Sequence, residues 1–232
     1  MTTQANPTDT FTTKSGKVLT FTFFAHSTMA IDFDGRRIYT DPVAGFLGDP
    51  AALPKADAML IGHHHYDHFE AEAVEALRGA DCRILCDVTT ASMLPEGWAV
   101  ALHPGDSDSV VGAEVVTLPA YNTSEGHTDF HPQSRGDIGF VVDFDGVRVY
   151  IAGDGEPTDE MMALRDIDIA FLPVNQPYTM TEQQASAVLH AIRPRVFYPY
   201  HYGQVDHRTD LALLSRLVSD IEGLEVRIRP ME

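Results

Sequence analysis

His63-His64-His65-Tyr66-Asp67-His68 follows a strand-like run, Ala58-Met59-Leu60-Ile61-Gly62, and precedes a helix-like run over residues 69–78. His63 and His65 stand two apart. In an extended segment both therefore point to one face and can chelate one ion, while His64 points to the other face. Asp67 and His68 fall where the chain bends into the helix, so their side chains turn to a second position close by. Neutral imidazole suits zinc, iron, nickel and copper, and a carboxylate among imidazoles suits zinc, manganese or iron. The hexapeptide holds no cysteine, which argues against a closed structural zinc site and for an open, hydrolytic one. Its position between strand and helix, with Asp67 interleaved, separates it from a terminal purification tag.

The chain has 232 residues, with 16 Lys and Arg against 34 Asp and Glu, a formal charge of −18. That length suits one α/β domain over residues 1–232, and no linker-like stretch divides it. The charge disfavours nucleic acid and anionic membranes as partners, because most of the surface would repel a polyanion. Bound divalent cations reverse the sign locally, so a small-molecule substrate, even an anionic one, stays compatible. Residues 1–10 lack the basic and apolar parts of a secretory signal, and no apolar run approaches the roughly 20 residues that cross a bilayer. A cytoplasmic protein is expected, with its first 16 residues loosely ordered and the question of a homo-oligomer open. The two cysteines, Cys82 and Cys86, lie in one strand-like run. Four strand residues put their Cα atoms roughly 13 Å apart, beyond the limit of about 7 Å for a disulfide, so both read as buried thiols.

Along the chain, strands are expected at 18–24, 29–33 and 36–40, the last two joined by an Asp34-Gly35 hairpin turn. Further strands follow near 83–86, 98–102, 109–111 and 114–118, then a second hairpin over 138–144 and 147–151, turning at Asp145-Gly146. A strand at 167–172 precedes a helix capped by Thr181, with Gln184 completing a capping box and Pro194 ending it. A strand at 196–200, a helix at 211–221 and a strand at 224–228 complete the pattern. Hairpins early and helices between later strands predict two mixed sheets covered by outer helices, an α/β/β/α sandwich.

Two facing sheets bring strand ends together along one edge, which directs attention to polar residues at those ends. Asp154 follows a strand and is flanked by Gly153 and Gly155. His201 ends the 196–200 strand, and His131 lies before the 138–144 strand. His26 ends the first strand, where it reads equally as a substrate-facing group or a buried structural histidine. Tyr121 and Asn122 can line the pocket and donate to an oxyanion, or simply form a turn. Asn175, Tyr178 and Arg135 are weaker pocket candidates. His103, His190 and His207 read as structural or solvated.

The order His63-x-His65-x-Asp67-His68, His131-Pro132, Gly153-Asp154, His201-Tyr202-Gly203 resembles the metallo-β-lactamase superfamily of metal-dependent hydrolases. Ala25-His26-Ser27, Pro119-Ala120-Tyr121-Asn122, Tyr178-Thr179-Met180-Thr181 and Pro199-Tyr200-His201 resemble more narrowly its L-ascorbate-6-phosphate lactonase-like branch. The resemblance spans residues 18–204 and implies that His63, His65 and His131 hold one metal ion. It implies Asp67, His68 and His201 for a second, with Asp154 bridging. Two divalent cations are then the cofactors, zinc first, with manganese or iron the alternatives. The implied activity is attack of activated water on an ester, lactone, amide or phosphodiester, with Asp67 orienting the nucleophile. His127, four residues before His131, is the alternative third histidine. The chain also departs from the family pattern at Gly155, where a threonine is common. A redox di-iron role is disfavoured, because such proteins carry glutamate at the position of His65. A non-catalytic metal-binding protein is the remaining alternative.

Overall fold

A computed structural model describes residues 6–203 and 208–232. Seven strands form the first sheet: β1 (Thr8–Thr12), β2 (Val18–Ala25), β3 (Thr28–Phe33), β4 (Arg36–Thr40), β5 (Ala56–Ile61), β6 (Arg78–Asp87) and β7 (Ala99–Leu102). Seven more form the second: β8 (Ser107–Val110), β9 (Ala113–Pro119), β10 (Ile138–Phe144), β11 (Val147–Ile151), β12 (Ile169–Pro173), β13 (Val196–Tyr200) and β14 (Glu225–Val226). In each sheet the first four strands run antiparallel and the last three add in parallel. Both sheets are therefore mixed, as the alternation of hairpins and helices predicts.

Alternation along the strands decides which faces meet. In β2, Leu19, Phe21 and Phe23 are fully buried while the residues between them are not. They join Phe140, Phe144, Phe171 and Tyr198 of the second sheet in one core between the layers. The Phe171 and Tyr198 rings stack there at 4.8 Å, and Phe23 packs on Tyr198 at 5.2 Å. Outside the first sheet lie α1 (Ala44–Leu47), α2 (Ala71–Leu77) and α3 (Val88–Ser92), with Val74 and Leu77 of α2 in a second apolar cluster. A third cluster joins the second sheet to α4 (Asp159–Met162), α5 (Glu182–Ile192) and α6 (Leu211–Leu217). The four-layer αββα order follows.

Local chemistry matches the expected punctuation at both hairpins and at α5. Asp34 and Gly35, then Asp145 and Gly146, all have left-handed φ, the backbone that an Asp-Gly hairpin turn needs. At α5, Thr181 Oγ1 accepts from the Gln184 amide and Gln184 Oε1 accepts from the Thr181 amide. Cys82 and Cys86 are free and buried, and burial pushes their thiols up to about 11 and about 12.

The N-terminal expectation is corrected. Thr8–Thr12 is an ordered edge strand paired along β2, and Asp9 accepts from Tyr198 Oη and from Arg229 Nη2 at 2.7 Å. The helix expected over 211–221 ends at Leu217, and the last strand is reduced to Glu225–Val226. His207 lies outside the described residues.

The two sheets approach closely at one edge. The Ile138 amide donates to the Gly62 carbonyl at 3.1 Å, tying the tip of β5 to the start of β10. A Cβ on Gly62 would stand 2.9 Å from the Ile138 oxygen, and one on Gly153 only 2.5 Å from it. Glycine is required at both positions because backbone from the other sheet already fills the space. His63 and Asp154 are the next residues in the chain, so this contact sets the floor of the site.

Candidate metal centre

Six imidazoles and two carboxylates meet above that floor. Asp154, 2% exposed, directs Oδ2 to His201 Nε2 at 3.0 Å, His68 Nε2 at 3.3 Å, His131 Nε2 at 3.4 Å and His63 Nε2 at 4.0 Å. Atoms of His63, His65 and His131 lie within 4.8 Å of one another. So do atoms of His63, His68 and Asp154, and of His26, Asp67, His68 and His201. Every residue that the family resemblance implied as a ligand is thus drawn into one cluster. His127 is not in these groups: its Nδ1 pairs with Glu156 Oε1 at 3.1 Å, on the far side of the loop.

Neighbouring polar groups fix the ring orientations. His68 Nδ1 meets Asp41 Oδ2 at 2.8 Å and Ser27 Oγ at 3.0 Å, leaving Nε2 toward Asp154. His131 Nδ1 lies 3.2 Å from Asn122 Oδ1 and 3.1 Å from the Tyr178 carbonyl, which both accept from it. His201 Nδ1 stands 3.2 Å from the Asn175 amide group. Arg135, paired with buried Asp137, places Nη1 2.8 Å from His65 Nε2. Outer partners of this kind hold metal-ligating histidines in one orientation.

The backbone shows the same purpose. His26, Asp41 and His201 have φ of 58°, 40° and 50°, left-handed values that cost a non-glycine residue roughly 1–2 kcal/mol each. Such strain persists only where surrounding contacts enforce it.

The fit to a cation can be judged from partners that are missing. Among the described residues, His63 Nδ1 and Nε2, His68 Nε2, His131 Nε2, His201 Nε2 and Asp154 Oδ1 are buried with no hydrogen-bond partner. Buried polar atoms are nearly always satisfied, so their convergence on one small volume fits metal ions. Burial, then the nearby His68, holds His63 well below the ordinary imidazole value. Burial, then Arg135, takes His65 down to about 4. Burial likewise lowers His131. The lowered values favour neutral imidazole, the form that binds metal. Burial opposes charge on His68 too, but Asp154 and Asp41 outweigh it and raise that ring, marking a place built for positive charge. Burial would raise the Asp154 carboxyl, yet His201 and His68 outweigh it and hold the group ionised.

A cavity of about 420 Å³ opens on the cluster, lined by His26, His65, Asp67, His131, Asp154 and His201 together with Tyr66, Asp129, Phe130, Arg135, Asn175 and Tyr178. That is the size of a small-molecule site. Two expected pocket residues are placed elsewhere. Tyr121 lines a separate surface hollow with Pro104, Val116 and Glu160. Its backbone crosses Gly155, where a Cβ would stand 2.6 Å from the Tyr121 nitrogen, so a side chain has no room at position 155. Asn122 is buried and spends its amide on His131 and the Tyr178 carbonyl rather than on an oxyanion. Conversely, Arg135 and Asn175 belong to the site more firmly than a surface salt bridge or an ordinary loop. Expected surface histidines His103 and His190 lie outside it.

Two residues escaped the sequence reading. Asp41 directly follows β4, and Asp154 lies three residues beyond β11, so the same search of strand ends can find it. Glu156, 1% exposed, accepts from the Thr123 and Ser124 amides and so anchors the loop that carries Asn122 and His131.

Comparison with known proteins agrees with this geometry. Residues 20–201 match the family described as the beta-lactamase superfamily domain. A UPF0173 metal-dependent hydrolase from Thermococcus onnurineus is 31% identical over 193 residues, 78% of this chain and 83% of the relative. A crystal structure from Parabacteroides distasonis, grouped with metal-dependent hydrolases, shares 41% identity and a TM-score of 0.90, covering 98% of this chain and all of that one. Igni18, a metallo hydrolase from Ignicoccus hospitalis, shares the fold at 24% identity and a TM-score of 0.71, covering 91% of this chain and 95% of its own. The chain belongs to the beta-lactamase superfamily and to its UPF0173 metal-dependent hydrolases.

Proposed function

We infer that this hydrolase works with two divalent cations, zinc first, and cleaves an ester, lactone, amide or phosphodiester bond in a small molecule. The observation that carries the reading is the set of unpartnered imidazole nitrogens gathered around a single carboxylate, Asp154. His63, His65 and His131 would hold one cation, Asp67, His68 and His201 the other, and Asp154 would touch both. When bound, such a pair lowers the pKa of water towards neutrality and polarises the oxygen under attack.

The chain's own groups do the rest. Asp67, one-fifth exposed, faces the cavity with Oδ2 3.8 Å from His201 Nε2, placed to accept a proton from the attacking water. Arg135 stands at the cavity wall beside His65 and offers a donor to a polar end of the substrate. Phe130 and Tyr178, edge to face at 4.8 Å, form an apolar side that excludes water from the reacting bond. A lactone substrate, as in the L-ascorbate-6-phosphate lactonase-like branch, is one member of this bond class. No helix among the described residues is long and apolar enough to cross a membrane. We place the protein in the cytoplasm as one functional domain acting on small molecules.

Metal analysis joined to a hydrolase panel, on the parent protein and on Asp67→Ala, tests the reading. The variant keeps its fold, binds less metal and loses every activity in the panel. An equally active, metal-free Asp67→Ala protein would refute it.

A further inference from the structure

His26 lies outside both implied ligand sets, yet its surroundings are those of a ligand. The ring is 1% exposed, and neither Nδ1 nor Nε2 has a hydrogen-bond partner. A neutral imidazole carries one donor and one acceptor, so burial with both unused leaves an unmet demand. Phe46 stacks on the ring at 5.2 Å and closes off water from that side.

The unsatisfied nitrogen points to the cluster. His26 Nε2 stands 3.2 Å from Asp67 Oδ2, close enough for a hydrogen bond but misdirected for one. Two ligands of a tetrahedral zinc, each about 2.0–2.1 Å from the ion, stand roughly 3.3 Å apart, and the pair matches that spacing. The His26 and His201 rings lie 3.6 Å apart between centroids, and His26 and His68 5.3 Å. The His201 amide donates to the His26 carbonyl at 3.2 Å, linking two left-handed residues from opposite sheets so that their rings meet.

We propose that His26 is a metal ligand, completing a four-residue set with Asp67, His68 and His201. The inference rests on the paired-cation reading and adds an asymmetry to it. With Asp154 shared, the cation of His63, His65 and His131 would have four protein ligands and the cation on the His26 side five. The cation on the His26 side would then be the more enclosed and more tightly held of the two, and water or substrate would have more room at the cation of His63, His65 and His131.

The test reads the nitrogens directly, with long-range ¹H–¹⁵N correlation of histidine rings in the full-length protein, metal-free and loaded with zinc. His26 Nε2 moves to the shift of a zinc-bound nitrogen on loading. His26→Asn, chosen because asparagine tolerates left-handed φ, removes that resonance. It weakens one of the two zinc equivalents by at least about tenfold and leaves the other in place. Two bound zinc ions with both His26 nitrogens unligated overturn this inference alone, and His26 is then a positioning residue for Asp67. A single bound zinc with His26 unligated overturns the paired reading as well. A single zinc held through His26 sinks the pairing but upholds the ligand.

Discussion

His68 is held from both ends by carboxylates, Asp41 at Nδ1 and Asp154 at Nε2. The same Asp41 accepts the Gly62 amide at 2.9 Å, so one side chain fixes both the ring and the tip of the strand that leads into the motif. Asp41→Ala leaves both donors without this acceptor, and zinc affinity measured by chelator competition should fall about 10- to 100-fold with the fold retained. Unchanged affinity would remove Asp41 from the account of the site. Four of the proposed ligands, His63, His65, Asp67 and His68, were legible because the hexapeptide concentrates them within six positions. Asp41 was passed over although it stands at a strand end, because a lone acidic residue after Thr40 has no further local mark in this acidic chain. Tyr121 lines a separate hollow, a placement set by packing between distant segments that no adjacent residue encodes.

Elements with a strong period were read closely, and those of a single turn were not. The two Asp-Gly hairpins and the capped α5 carry their signals within a few residues. By contrast α1 and α4 are four residues long and α3 five, too short to display a helical period. The Thr8–Thr12 strand is a polar edge whose partner begins ten residues later in the chain. Gly153 was noted only as a neighbour of Asp154, and the structure shows that backbone of the other strands approaches it. Gly153→Ala would drive a methyl group into the Ile138 carbonyl and Ala120 Cβ, 2.5 and 2.8 Å away. The expected loss is about 1–3 kcal/mol in urea unfolding, with weaker zinc binding because β10 and β11 are pushed apart beneath Asp154. An unaltered unfolding midpoint would contradict the close packing described here.

Across the whole molecule, the two halves repeat one plan: four antiparallel strands, three parallel additions, and an acidic residue just beyond the second strand of an Asp-Gly hairpin. Asp41, the residue after β4, and Asp154, three residues beyond β11, meet the two ring nitrogens of His68, so this part of the cluster forms only when the halves dock. A clasp at the termini supports that docking. Asp9 of β1 meets Tyr198 of β13 and Arg229 near the C-terminus, bridging the sheets. Burial would raise the Asp9 carboxyl, but the Arg229 and Tyr198 contacts outweigh it and hold it below the usual carboxylate range. A depressed carboxyl contributes stability that is present above its unfolded value, about 3.9, and lost as pH falls through the folded value. Asp9→Asn should therefore lower stability at pH 7 by on the order of 1 kcal/mol and by less near pH 3, followed by thermal unfolding across that range. An equal loss at both pH values would show that charge on Asp9 contributes nothing.

Sequence alone determined the ligand types, the hairpins, the capped helix and the layered α/β class, because each is written in neighbouring residues or in a short period. That these histidines gather around Asp154, that His26 stands beside Asp67 and His201, and that Tyr121 lines a separate hollow were decided only by the tertiary structure. Those outcomes depend on how closely two sheets approach at one edge, a distance set by glycines and backbone contacts between segments far apart in the chain.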